Sequence, residues 1–238
     1  DNKQVLHDWH RGSVVLAYFL ADWEMGKTHA YAALELSREL DDDEAKLFKN
    51  PKDRNTLAES FRILTSNVNY LLPQNTGTTD GKVILSTSSI KGEGKSFVAL
   101  NMSLALSSLD KKVLLVGADL RNPQLHKYIG VDKSKEGLTS YLHNTNFDWK
   151  KTILNKFEYL PHHHTLLTGL IPPNATQLLS NGNFEKMILE AKKEYDYIVI
   201  DTAPTLLVTD TLIISDTADA IIYVCRSNYT EKEIFNYP

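Results

Sequence analysis

The sequence predicts an α/β fold in which a mostly parallel β-sheet is flanked by helices on both faces. From about Lys82 onward, short runs rich in β-branched and aliphatic residues alternate with amphipathic stretches, the pattern of repeated β-α-β units. Those runs are nearly continuous in Val, Ile, Leu or Tyr, as strands are when helices cover both faces of their sheet. Composition agrees. With 42% hydrophobic and 24% charged residues among 238, the chain has the make-up of a globular protein with its own core, and its length gives room for one large or two small domains.

In chain order, residues 1–50 hold a mixed apolar pattern without proline and then the acidic run Asp41 to Glu44. They are expected to form a peripheral helical or linker segment, to which no role is assigned. Residues 51–238 form the main domain. It opens with a helix over Thr56 to Leu71, where Leu57, Phe61, Leu64, Val68 and Leu71 recur at spacings of four and three and should pack on the sheet. Strands are expected at Lys82 to Ser86, Lys112 to Val116, Thr165 to Leu167, Tyr197 to Ile200 and Ala220 to Val224. Between them, Ser96 to Leu109 and Asn183 to Tyr195 read as helices, the second capped by Asn183.

The most informative stretch is Ser86 to Ser96, STSSIKGEGKS, placed where a strand ends and a helix begins. A glycine-rich loop there can turn successive backbone N–H groups around phosphate oxygens. The helix N-terminus adds its dipole, a lysine reaches the β and γ phosphates, and a hydroxyl takes a place on Mg²⁺. Gly92 and Gly94 supply the bends, Lys95 the charge and Ser96 the hydroxyl, while Ser89 stands where the usual first glycine of G-x-x-x-x-G-K-[ST] would be. A Mg-nucleotide site also needs carboxylates at neighbouring strand ends, because the ion keeps several waters that must be oriented. YIVIDTAP ends its strand with Asp201, the Walker B acid, and VLLVGADLRNP ends another with Asp119 and Arg121. Two apolar strands that each end in aspartate, with the loop at a third, are a specific coincidence that resembles a P-loop NTPase of the deviant Walker type.

From about Leu57 to Arg226 the chain resembles the catalytic domain of the bacterial protein-tyrosine kinases of exopolysaccharide export. The matching residues are Gly94-Lys95-Ser96 of Walker A, Asp119 and Arg121 of the second acidic strand end (apolar run, D-x-D-x-R), and Asp201 and Pro204 of Walker B. Gly169 to Asn181, GLIPPNATQLLSN, is similar to the family's G-x-x-P-P-N-P-x-E-L-L-x-S segment. Glu59-Ser60-Phe61-Arg62 resembles the start of the E-x-x-R-x-x-R motif through which members pack into rings. The resemblance implies an ATP- and Mg²⁺-dependent tyrosine autokinase. It implies nucleotide contacts from Lys91, Gly92, Glu93, Gly94, Lys95, Ser96 and Phe97, catalytic roles for Lys95, Asp119, Asp201 and Arg121, and a metal held by Ser96, Asp119 and Asp201. Either Asp119 or Asp201 can accept the tyrosine proton. The implied partners are ATP and ADP, further copies in a ring, and a membrane adaptor of polysaccharide export, with the chain as the cytoplasmic part of an inner-membrane export protein.

Three positions depart from the family. Gly117 replaces the first aspartate of the D-x-D-x-R run and removes one carboxylate, Thr65 replaces the last arginine of the ring motif, and Pro238 precedes the family's last strand and terminal tyrosine cluster. The alternative is a MinD- or ParA-like ATPase switch acting at membrane or DNA. Such switches carry an extra loop lysine where this chain has Ile90, with Lys91 one residue off.

Other features exclude or restrain. A formal charge of −4 argues against nucleic acid bound through bulk positive charge. Cys225, the single cysteine, permits neither an internal disulfide nor a thiolate zinc site, fits a reducing compartment and reads as a small buried hydrophobe. The longest apolar run, Val14 to Ala21, is too short to span a bilayer, and Asp1 is not the start of a secretory signal, so a soluble chain is expected. His162, His163 and His164 point in diverging directions and are read as a solvated loop, and Tyr195 and Tyr197 as core or strand-edge residues.

Overall fold

The structure is a computed structural model that describes residues 56–72, 80–206, 208–226 and 229–231, together with the backbone of 15–19. Five parallel strands make the sheet: β2 (Lys82–Ser88), β3 (Val113–Gly117), β4 (His163–Leu166), β5 (Tyr197–Asp201) and β6 (Ala220–Arg226). Their spatial order is β6-β2-β5-β3-β4, and β1 (Val15–Phe19) pairs antiparallel with the outer edge of β6. The helical expectation for residues 1–50 is therefore wrong at 15–19, where the backbone is an edge strand; the rest of that segment lies outside the described residues.

Period-two alternation explains how both faces become buried. Ile84, Val113, Leu115 and Val199 enter one core with Phe61, Leu64, Val68, Leu100 and Leu104 from helices α1 (Thr56–Leu71) and α2 (Lys95–Ser107). Their neighbours Val83, Leu114, Val116, Ile198 and Ile200 enter the opposite core, which is closed by α4 (Leu138–His143), α5 (Ala175–Ser180), α6 (Asn183–Ala191) and α7 (Asp210–Ile214). α3 (Leu125–Tyr128) sends Leu125 into the first core. β2, β3 and β5 thus bury residues on both sides, which is why the sequence shows continuous apolar runs there.

α1 spans the residues its spacing predicts and, as expected, packs into one core with the sheet strands, with α2 beside it. Phe61 meets Phe97 edge to face at 5.9 Å, and Asn69 Oδ1 accepts a hydrogen bond from Tyr197 Oη at 2.8 Å. Two further expectations need correction. α6 is preceded by Gly182, whose φ of 80° provides the left-handed turn, and Asn183 is its first helical residue rather than its cap. The three histidines are not a solvated loop: His163 and His164 begin β4, and His163 is fully buried with Nε2 2.8 Å from Ser103 Oγ. Tyr195 and Cys225 are buried, as expected. Among the described residues, no helix is long and apolar enough to cross a membrane.

Candidate active site

Strand order brings the chemistry together. β5 lies between β2 and β3, and its last residue, Asp201, is in register with Ser86 on one side and Gly117 on the other. The phosphate loop leaves β2, the Asp119 turn leaves β3, and Asp201 stands between them at the carboxyl edge of the sheet. This is where open α/β sheets bind their ligands.

The loop needs glycine at two places. Gly92 and Gly94 have φ of 93° and 101°, backbone that L side chains rarely adopt, and Gly94 directly precedes the first turn of α2. Ser86 Oγ donates to the carbonyl of Lys95 at 3.0 Å and fixes the start of that helix to β2. Glu93 turns inward: its buried carboxylate accepts from Ile90 N at 2.7 Å and from Thr230 Oγ1. Burial raises the Glu93 pKa, against the lowering effect of those bonds. Lys91 is exposed, and the ring of Phe97 packs between Phe61 and Tyr128, 6.4 Å from the latter.

Lys95 Nζ lies 3.1 Å from Asp119 Oδ2, and both side chains are buried. The geometry is that of an ion pair without a hydrogen bond to Oδ2, whereas Asp119 Oδ1 accepts from the backbone N–H groups of Arg121 at 3.2 Å and Asn122 at 2.9 Å. Asp201 is 1% exposed. Burial pushes its carboxyl up to about 7, partly offset by the Lys95 charge and a hydrogen bond from Ser96, with the Asp119 charge adding to the rise. Its Oδ1 has no hydrogen-bond partner. Two buried carboxylate oxygens without hydrogen-bond donors, beside a serine hydroxyl at a helix N-terminus, fit a hard divalent ion bound with phosphate and water. Among the described residues no group of three His, Cys, Asp or Glu side chains could hold such an ion unaided.

Arg121 points away from this centre. Its Nε and Nη2 donate to Asp210 at 2.7 and 3.1 Å, and Nη2 also donates to Thr176 Oγ1 at 2.9 Å. Thr176 in turn donates to Asp210 Oδ1 at 2.7 Å. The proline-rich segment, for which the sequence offers no chemistry, thereby ties the Asp119 turn to α5 and α7. At Gly117 a Cβ would lie 3.0 Å from Thr168 Oγ1 and 3.3 Å from Thr168 N, and that hydroxyl donates to the Gly117 carbonyl at 2.8 Å. Thr168 occupies the room that a first aspartate would need. Beside it a cleft opens, lined by Gly117, Gln124, His126, Lys133, Thr168 and Asp201.

Lys95, Ser96, Asp119 and Asp201 are thus brought together as expected, and Arg121 is not. Sequence reasoning missed Asp210, Thr168, Tyr223 and Tyr229. Tyr223 Oη lies 2.7 Å from Ser89 Oγ, at the position of the absent first glycine. No local pattern marks any of these four residues.

Residues 81–233 match the family model described as an AAA domain. The chain is 34% identical over 186 residues to the tyrosine-protein kinase YwqD of Bacillus subtilis (strain 168), covering 77% of this chain and 73% of that protein. It belongs to the bacterial tyrosine-protein kinase family. The tyrosine-protein kinase CpsD of Streptococcus agalactiae serotype III (strain NEM316) is 35% identical over 179 residues, covering 73% of each chain. The crystal structure of the VpsO kinase domain superposes with a TM-score of 0.63 at 28% identity, covering 75% of this chain and 85% of that one. The catalytic domain of a bacterial tyrosine kinase, built on a P-loop NTPase fold, accounts for the sheet order and for the three converging strand ends.

Proposed function

We propose that this chain transfers the γ-phosphoryl group of ATP to a tyrosine hydroxyl, including tyrosines of its own kind. The observation that carries the reading is the meeting of Lys95, Ser96, Asp119 and Asp201 at one sheet edge, with a carboxylate oxygen on each acid free of hydrogen bonds. Lys95 neutralises Asp119 until phosphate competes for the ammonium. Ser96 and the two acids would hold Mg²⁺ directly or through water, and the ion would supply positive charge for the phosphates. The loop amides and the α2 N-terminus orient the triphosphate, so that catalysis is mainly positioning and charge stabilisation. The acceptor phenol approaches from the cleft beside Gly117 and Thr168. Either acid can accept the phenolic proton, and burial raises the pKa of Asp201.

The family resemblance supports further parts of the reading: control of exopolysaccharide or capsule export, a cytoplasmic catalytic domain working with a membrane adaptor, and assembly with further copies through α1. On α1, Glu59 and Arg62 pair at 2.6 Å on the outer surface, while Thr65 is buried and unsuited to the motif's last arginine. Assembly would then use two of three motif positions, and Arg62→Ala is expected to lower the oligomer mass measured by light scattering.

The decisive experiment incubates the purified chain with ATP and Mg²⁺ and measures phosphotyrosine and free phosphate separately. Phosphotyrosine that disappears in Lys95→Met is the expected result. Phosphate alone, stimulated by lipid or DNA, identifies a switch ATPase instead; autophosphorylation of Lys95→Met at the parent rate overturns the site.

A further inference from the structure

Beyond β6 the chain returns to the phosphate loop and is fastened to it. Tyr229 Oη donates to the Lys91 carbonyl at 2.9 Å, Arg226 Nη1 donates to the Gly92 carbonyl at 3.3 Å, and Thr230 Oγ1 bonds to the buried Glu93 carboxylate. The segment is braced internally as well. Arg226 N donates to Thr230 Oγ1 at 2.9 Å, and the Arg226 guanidinium lies 5.1 Å from the centre of the Tyr229 ring. Three consecutive loop residues, Lys91 to Glu93, are therefore held by one short stretch of chain. The contact is tight: a Cβ on Gly92 would lie 2.7 Å from Tyr229 Oη. Yet the Tyr229 side chain remains 47% exposed.

We propose that Tyr229 is a regulatory phosphoacceptor, and that a phosphoryl group on its hydroxyl unfastens the phosphate loop and weakens its hold on nucleotide. This rests on the tyrosine-kinase reading above. The closed contact and the modified side chain are incompatible for three reasons. Phosphorylation removes the hydrogen that Tyr229 donates to Lys91, so that bond is lost outright. A dianionic group adjoining the Lys91 carbonyl is repelled by it. Against Gly92 the hydroxyl sits too close to admit even a Cβ, so the bulkier phosphate ester must move off the loop. Arg226, already stacked on the ring, becomes the natural counter-charge, and pairing with the phosphate draws it off the Gly92 carbonyl.

Transfer occurs between copies. In its own subunit the Tyr229 hydroxyl is held against loop carbonyls, not among the amide groups that receive phosphate oxygens. When the segment swings out, Tyr229 Oη in the cleft of a second copy forms a bond to Pγ of ATP as the bridging Pγ–O bond breaks. ADP leaves, and the phenolic proton passes to the carboxylate of that second site. The modified subunit then loses affinity for nucleotide, so that accumulated product slows the chain that bears it.

Two measurements test this. Phosphotyrosine is inserted at position 229 of the full chain during translation, and a fluorescent ADP analogue is titrated in with Mg²⁺. Affinity is expected to fall about tenfold or more, and in Tyr229→Phe, which lacks only the hydroxyl, by about two- to fivefold. Equal affinity in all three proteins overturns the switch. Separately, the active chain, ATP and Mg²⁺ are mixed with a Lys95→Met copy as acceptor, and the phosphorylated positions of that copy are mapped by mass spectrometry. Phosphate on Tyr229 supports the assignment. Phosphotyrosine elsewhere but never at Tyr229 overturns it and leaves the kinase reading intact, whereas no phosphotyrosine at all overturns both.

Discussion

Aspartates at the two edges of the same sheet meet opposite conditions. At the amino edge, Asp219 Oδ2 accepts from Val83 N at 2.7 Å and from Lys192 Nζ at 3.3 Å, and Asp196 Oδ2 accepts from Lys112 N at 2.8 Å. Each closes a turn against a strand start and keeps contact with water. At the carboxyl edge, Asp119 and Asp201 are buried, and each keeps one oxygen without a hydrogen bond. The same side chain completes the backbone's hydrogen bonding at one edge and withholds that capacity at the other. Leaving a buried carboxylate undersupplied is costly, and Lys95 and Ser96 offset that cost only in part. A ligand that brings a cation and phosphate offsets the rest.

The contrast is broken most directly at Asp201. Asp201→Asn keeps shape and removes the charge that burial disfavours. Tyrosine phosphorylation is expected to fall about 10²- to 10⁴-fold, the range for loss of a positioned acid-base group. The protein without nucleotide should melt at the same or a higher temperature, because the charge that burial disfavours is gone. A variant that retains activity but melts several degrees lower would place Asp201 with the amino-edge aspartates, and the distinction between the edges would fail.

How much of this the sequence revealed depended on the separation of the partners. Asp119 and Asp201 follow apolar runs, and Lys95 and Ser96 close the glycine loop that follows a third; parallel register brings such ends to one edge whatever the strand order, so four site residues were legible one run at a time. Arg121 shares that local pattern, but its side chain is claimed by Asp210, 89 residues away, and by Thr176. No spacing rule reaches so far. The latch from Tyr229 to Lys91 spans 138 residues and was equally hidden. His163 failed for another reason. Diverging consecutive side chains are what a strand produces as well as a loop, and the alternation that leaves His162 half in water buries His163 fully.

That buried imidazole allows a sharper test, because it sits where β4 begins, at the edge assigned to stability. Burial pushes the His163 pKa from 6.5 down to about 3, and the nearby His164 adds to the effect. The unfolded chain therefore takes up the proton first, and native stability declines as pH falls from about 6.5 toward 3. The loss is about 1.4 kcal/mol per pH unit, or about 3 kcal/mol at pH 4.5. Denaturant unfolding of the parent and of His163→Gln across pH 4.5 to 7.5 measures it: the parent should have the steeper acid slope. Parallel slopes would show that His163 titrates normally and does not sit buried as a neutral ring.

The smallest effect is expected at Asp219, and it completes the contrast. Asp219→Ala removes the acceptor of the Val83 N–H, a buried donor at the start of β2, and the partner of Lys192. Loss of an acceptor to a buried backbone donor costs about 1–3 kcal/mol, while the partly exposed ion pair with Lys192 adds little. Urea unfolding should report a destabilisation in that range with an unchanged slope. Phosphorylation at a temperature where the variant is fully folded should match the parent, since Asp219 lies at the opposite edge of the sheet from Asp201. A loss of activity without loss of stability would mean that strain at the start of β2 is transmitted along the strand to the phosphate loop, and the two edges would no longer be independent.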